Sequence, residues 1–187
     1  MMINVIKWIF TIILTNYLTN KRQINVPTHI STHISRHIPL KDIIDIKSNL
    51  NKKICDVFPF LCVILINNYE KYIICHTYLI LLRFICFNVT ILPPPMKLEK
   101  RLSFGIIPNY TYDLIFSGHT MTCVLSIFCV KQFLIPYTLL LSILCSLSLI
   151  ITKEHYTIDV IIAWIATHSI VSLYSININE LLETNPQ

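Results

Sequence analysis

Late in the chain, four ionisable side chains sit inside, or at the edges of, strongly apolar stretches and stand out as candidates: Arg83, His119, His155 and Asp159. An ionisable group at membrane depth is unfavourable unless it is paired or functional, so each is a candidate for chemistry. His155 and Asp159 are four residues apart, which puts them on one face of a helix. There the carboxylate can orient the imidazole and stabilise its charge, the arrangement of an activated nucleophile. Ser117, Gly118 and His119 are consecutive. Ser117 is a good N-cap, and Gly118, in a chain with only two glycines, allows close backbone approach. Amide hydrogens at such a helix start can hold a phosphate oxygen. A His–Asp pair at helical spacing can equally be a structural ion pair, and His76 and His168 read as packing residues. What favours chemistry is the second histidine. The chain between His119 and His155 suffices for one helix down, a tight turn and one helix back at about 1.5 Å per residue, so both imidazoles reach the same side.

The elements that must position these groups read as membrane helices. Of 187 residues, 54% are hydrophobic and 13% charged, and the mean hydropathy is +0.63, which leaves too little polar surface for an ordinary soluble domain. The net charge of +5 does not point to nucleic acid, because Lys and Arg are scattered between apolar runs instead of forming a stripe. Of the seven cysteines, Cys62, Cys75, Cys86, Cys123, Cys129 and Cys145 lie within apolar runs and are expected to be free thiols packed among helices.

The expected fold class is all-α, a polytopic membrane helix bundle of about six transmembrane helices. Residues 1–53 form a first helix (Met1 to Leu18) and a polar connection; residues 54–187 form the catalytic membrane domain. Within the connection, His29, His33 and His37 would align on one face of a helix, but no Cys or carboxylate spacing completes a metal site, and Pro27 and Pro39 bracket the stretch. Apolar runs follow from Ile54 to Ile66 and from Tyr72 to Leu92, the latter ended by Pro93-Pro94-Pro95. The remaining runs are Leu114 to Val130, Phe133 to Ile151 and Tyr156 to Ile176.

The stretch from Lys153 to Trp164, KEHYTIDVIIAW, resembles the last signature of the sphingomyelin synthase family, His-Tyr-Thr-x-Asp-Val. Asp113 to Thr120, DLIFSGHT, resembles the preceding signature, and Arg83 to Pro95, RFICFNVTILPPP, is similar to the family's Arg, Val-Thr and Leu-Pro-x-Pro stretch. Pro39-Leu40-Lys41-Asp42 resembles an earlier one weakly. Departures fall in the connecting segments: Tyr112 and Met96 stand where the family has glycine, and the loop from Met96 to Tyr112 is short.

This resemblance, to a branch of the type-2 phosphatidic acid phosphatase superfamily, implies transfer of phosphocholine, phosphoethanolamine or phosphoinositol from a glycerophospholipid donor to ceramide, releasing diacylglycerol. It implies no cofactor and no metal. His155, assisted by Asp159, would be the nucleophile and His119 the acid and then the base. Arg83, Ser117 and Gly118 would bind phosphate. The expected setting is the luminal or outer face of the Golgi, endoplasmic reticulum or plasma membrane. Lys and Arg in the loops on that face run against the positive-inside tendency. The sequon Asn109-Tyr110-Thr111 reports on the side of its loop. Two alternatives stand beside this reading. A lipid phosphate phosphatase usually carries Lys-x6-Arg-Pro, absent here, and a Ser-Arg pair where this chain has Leu149 and Ile150. The other is a non-catalytic lipid-binding membrane protein.

Overall fold

The computed structural model describes residues 2–24, 54–89 and 116–184. Among these, all regular structure is helical: α1 (Met2–Ile24), α2 (Ile54–Ile64), α3 (Tyr69–Val89), α4 (Gly118–Ile127), α5 (Ile135–Ile151) and α6 (Thr157–Thr184). A single 3₁₀ turn at Gln132–Leu134 leads into α5. The repeat of His29, His33 and His37, the Pro39 to Asp42 stretch, the triple proline, Asp113, the Asn109 sequon and the end at Gln187 lie outside the described residues.

The chain reverses direction from each helix to the next. At one end, the backbone N–H groups of Asn67 and Asn68, between α2 and α3, both donate to the Cys129 carbonyl after α4, at 2.9 Å. At the other end, Cys55 at the start of α2 meets Thr152 at the end of α5, 3.5 Å between Sγ and Oγ1. The Thr152 hydroxyl commits its one hydrogen to the Ser148 carbonyl, so the Cys55 thiol is the donor. Arg83, near the end of α3, bonds the Phe116 carbonyl just before α4. Outside this group α1 runs alongside α3 in the same direction, fixed by Asn4 to Glu70 and by Trp8 to His76.

The shortest α-helix is the central one. α4 packs against α2, α3, α5 and α6, and every residue from Thr120 to Ile127 except Thr122 is buried. One apolar cluster joins Leu79 of α3, Met121 and Leu125 of α4 and Ala163 of α6. A second joins Cys55 and Cys62 of α2, Cys123 of α4, and Cys145 and Leu149 of α5. None of the seven cysteines forms a disulfide. His76 stacks on Tyr72 and accepts from Trp8, while His168 makes an edge contact with Phe128, so both serve packing.

Helix lengths separate the elements. The stretches Gln132–Ile151 and Thr157–Ile176 are long and apolar enough to cross a membrane. The ten residues of α4 and the eleven of α2 rise only about 15 to 17 Å at 1.5 Å per residue, half of a bilayer core of about 30 Å. The expectation of about six spanning helices rested on apolar run length. In α4 the run is longer than the helix, because Ser117 caps it at Gly118.

The burial pattern of α5 is inverted relative to a soluble helix. Thr138, Ser142 and Ser146 face the bundle, and Leu140, Ile143, Leu144 and Leu147 face outward. The three hydroxyls donate to the carbonyls of Leu134, Thr138 and Ser142, one turn back, so burying them leaves no hydrogen unpaired. Ser146 also accepts from the indole of Trp164 on α6 at 3.0 Å. Small residues inside and large aliphatic ones outside suit helices that pack tightly in lipid, where burying Leu gains little.

Candidate active site

At the end of the bundle where α2, α4 and α6 begin and α3 and α5 finish, the ionisable groups gather. Ser117 is the N-cap of α4: its backbone is extended (φ −63°, ψ 111°) and its hydroxyl accepts from the Thr120 amide at 3.3 Å. The next residue, Gly118, lies under the guanidinium of Arg83. A Cβ added there would stand 3.0 Å from Nη1 and 3.3 Å from Cζ. Arg83 Nε donates to the Phe116 carbonyl at 3.0 Å, which orients the guanidinium across the start of α4. Positive charge and a helix N-terminus thus coincide, a combination suited to a phosphate.

His119 follows directly. Its Nε2 lies 2.9 Å from Oδ1 of Asp56, which α2 carries next to the Cys55 anchor. His119 is also within electrostatic range of His155 and Arg83. Sequence reasoning missed Asp56. It sits in an apolar run of its own, 63 residues from its partner, and no local spacing links the two.

His155 is buried in the turn between α5 and α6. That turn is a Schellman-type helix end: Lys153 N–H donates to the Ile150 carbonyl and Glu154 N–H to the Leu149 carbonyl. Lys153 adopts φ 55°, the left-handed conformation that glycine usually supplies. The reversal brings His155 back over the end of α5, where its own amide reaches the Leu149 carbonyl.

Asp159 is fully buried, 0% exposed. Its Oδ2 accepts from the Tyr156 amide at 2.9 Å, the reach-back half of a capping box at the start of α6. The same oxygen is 3.6 Å from His155 Nδ1, an ion-pair distance longer than a hydrogen bond. Asp159 therefore fixes both the helix start and the charge beside the imidazole.

Among the described residues, no group of three or more His, Cys, Asp or Glu is placed to hold a metal ion. Each of the two histidines stands beside a carboxylate, a setting in which an imidazole can act as a nucleophile or carry a proton, and the Arg83 guanidinium at the start of α4 is a setting suited to an anion.

Residues 112–176 match the family model described as PAP2 superfamily C-terminal. The matched segment contains Ser117, Gly118, His119, His155 and Asp159, whereas Asp56 and Arg83 precede it. No curated protein and no solved structure matches the chain. The similarity supports the PAP2 superfamily, and with it an enzyme of the lipid phosphatase or phosphotransferase type. The two long apolar helices fit association with a membrane.

Proposed function

We propose that the protein is a membrane-embedded sphingolipid synthase that moves a phospho-headgroup from a glycerophospholipid to ceramide and releases diacylglycerol. The observation that carries this reading is the gathering of His155 with Asp159, His119, and Arg83 over Gly118 at one end of the bundle. The motifs carried by Arg83 to Pro95 and Lys153 to Trp164 favour the synthase branch.

In the first half-reaction the unprotonated nitrogen of His155 attacks phosphorus while Asp159 stabilises the developing positive charge on the ring. The bond between phosphorus and the diacylglycerol oxygen breaks, and protonated His119 supplies that oxygen with its proton. The headgroup phosphate remains on His155. In the second half-reaction His119, now neutral, takes the proton of the ceramide hydroxyl. The ceramide oxygen attacks phosphorus, the P–N bond breaks, and its electron pair returns to His155. Arg83 and the amides at the start of α4 neutralise the phosphoryl oxygens throughout.

The second reading is a lipid phosphate phosphatase, favoured by the breadth of the family match. The two differ only in whether an alcohol or water enters the second half-reaction. Against water as the usual acceptor, the positions that carry Ser-Arg in that branch are here Leu149 and Ile150, both buried in the core.

The deciding assay uses full-length protein in liposomes holding ceramide and phospholipid labelled in its headgroup phosphate. Labelled sphingolipid is the expected product. Release of free phosphate from phosphatidate would establish the phosphatase instead, and absence of any turnover would leave a lipid-binding protein. The active site is assigned to the luminal or outer face of a Golgi, endoplasmic reticulum or plasma membrane. A glycan on Asn109 is the expected sign.

A further inference from the structure

Asp56 belongs to none of the motifs that single out His119 and His155, yet it makes the shortest polar contact of either histidine, 2.9 Å from Oδ1 to His119 Nε2. The contact is built from both sides. α2 packs against α4 and α5, and the Cys55 thiol, adjacent to Asp56, is tied to Thr152 where α5 ends. Cys55 is wholly buried whereas the Asp56 side chain is 59% exposed. Water therefore supports the carboxylate's charge while the backbone that carries it is anchored in the core.

An ionised carboxylate can only accept a hydrogen bond. Facing one at 2.9 Å, Nε2 of His119 must carry the hydrogen. Among the described residues, the other groups that act on this ring are Arg83 from α3 and His155 from the turn before α6, and neither is an acceptor anion.

We infer that Asp56 is a positioning residue that holds His119 with its hydrogen on Nε2, leaving Nδ1 as the nitrogen that exchanges a proton with the lipid oxygens; this rests on the phosphotransfer reading above. When the P–O bond to diacylglycerol breaks, the His119 imidazolium releases the Nδ1 proton to the departing oxygen and becomes the neutral Nε2–H tautomer. When ceramide enters, the Nδ1 lone pair takes the hydroxyl proton and restores the imidazolium. Nε2–H stays on Asp56 in both steps, so the ring keeps its orientation while its charge alternates.

Nitrogen-15 spectra of histidine-labelled full-length protein in lipid nanodiscs, recorded where the imidazole is neutral, read the tautomer without any substrate. The His119 signals, assigned by their loss in His119→Ala, are expected to show a protonated Nε2 and an unprotonated Nδ1. In Asp56→Asn, whose amide can also donate, the tautomers are expected to mix. In the ceramide liposome assay kcat of Asp56→Asn is expected to fall between about tenfold and the roughly 10²–10⁴-fold that a general acid itself contributes, with KM little changed. Asp56→Glu is expected to recover most of that loss. In a His119→Ala background, Asp56→Asn is expected to cost almost nothing more.

A wild-type Nδ1–H tautomer overturns the inference. So does an Asp56→Asn loss that is equal in both backgrounds, which would mark a merely structural role. Wild-type protein that turns over no lipid overturns the phosphotransfer reading and the use of Nδ1 with it. The tautomer itself is decided separately by the spectrum.

Discussion

The guanidinium of Arg83 lies against the backbone of Gly118, close enough that a Cβ on residue 118 would stand 3.0 Å from Nη1. The contact couples α3 to the start of α4 at the point where a phosphoryl group would be received. Gly118→Ala is expected to displace the guanidinium, because its tip is the more yielding partner. The fold should survive at a cost of about 1 kcal/mol, the low end for an added methyl group, since no backbone atom must move. Lipid turnover is expected to fall by tenfold or more, equivalent to about 1.4 kcal/mol of transition-state stabilisation. A melting curve alongside the liposome assay separates the two effects.

Asp159 has two partners, and two substitutions distinguish them. Asp159→Ala removes the acceptor for the Tyr156 amide as well as the charge beside His155. It is expected to lower stability by about 0.5–2 kcal/mol, the usual cost of losing a helix cap, and to abolish turnover. Asp159→Asn keeps an oxygen for the Tyr156 amide and loses only the charge. Its thermal stability should stay near wild type while turnover still collapses. Equal destabilisation by both would show that the charge, not the cap, holds the start of α6.

Lys153 holds a left-handed conformation at φ 55° in the turn that delivers His155. For a residue with a Cβ this conformation is unfavourable by roughly 1–2 kcal/mol, partly offset by glycine's greater chain entropy. Lys153→Gly is therefore expected to raise stability slightly, by up to about 1 kcal/mol in a denaturation experiment. Turnover is expected to be retained.

What the sequence discloses depends on how local each signal is. Ser117 before Gly118 is legible as a cap because its bond to the Thr120 amide spans three residues. The four-residue spacing of His155 and Asp159 is equally local. That Asp159 also caps α6 is less visible, since Tyr156 at the N-cap is not a usual capping residue. The Lys153 turn has no signal at all, because lysine does not favour positive φ and the packing of α5 and α6 imposes it. Apolar run length shows where helices lie but overstates how many are long enough to span, as α2 and α4 show. The stripe of Thr138, Ser142 and Ser146 carries the inside face of α5 in plain view at four-residue spacing. Its meaning appears only once the leucines are seen on the outside. Asp56 is the least legible of all, since its meeting with His119 is made entirely by helix packing.

The covalent step on His155 can be tested without the acceptor. Full-length protein incubated in liposomes with phospholipid donor and no ceramide, quenched in alkali and digested, is examined by mass spectrometry for a headgroup phosphate on the peptide carrying His155. That adduct is expected, with its disappearance when ceramide is added and its absence from His155→Ala. Turnover with no adduct on His155, or an adduct on His119 in its place, would contradict that step.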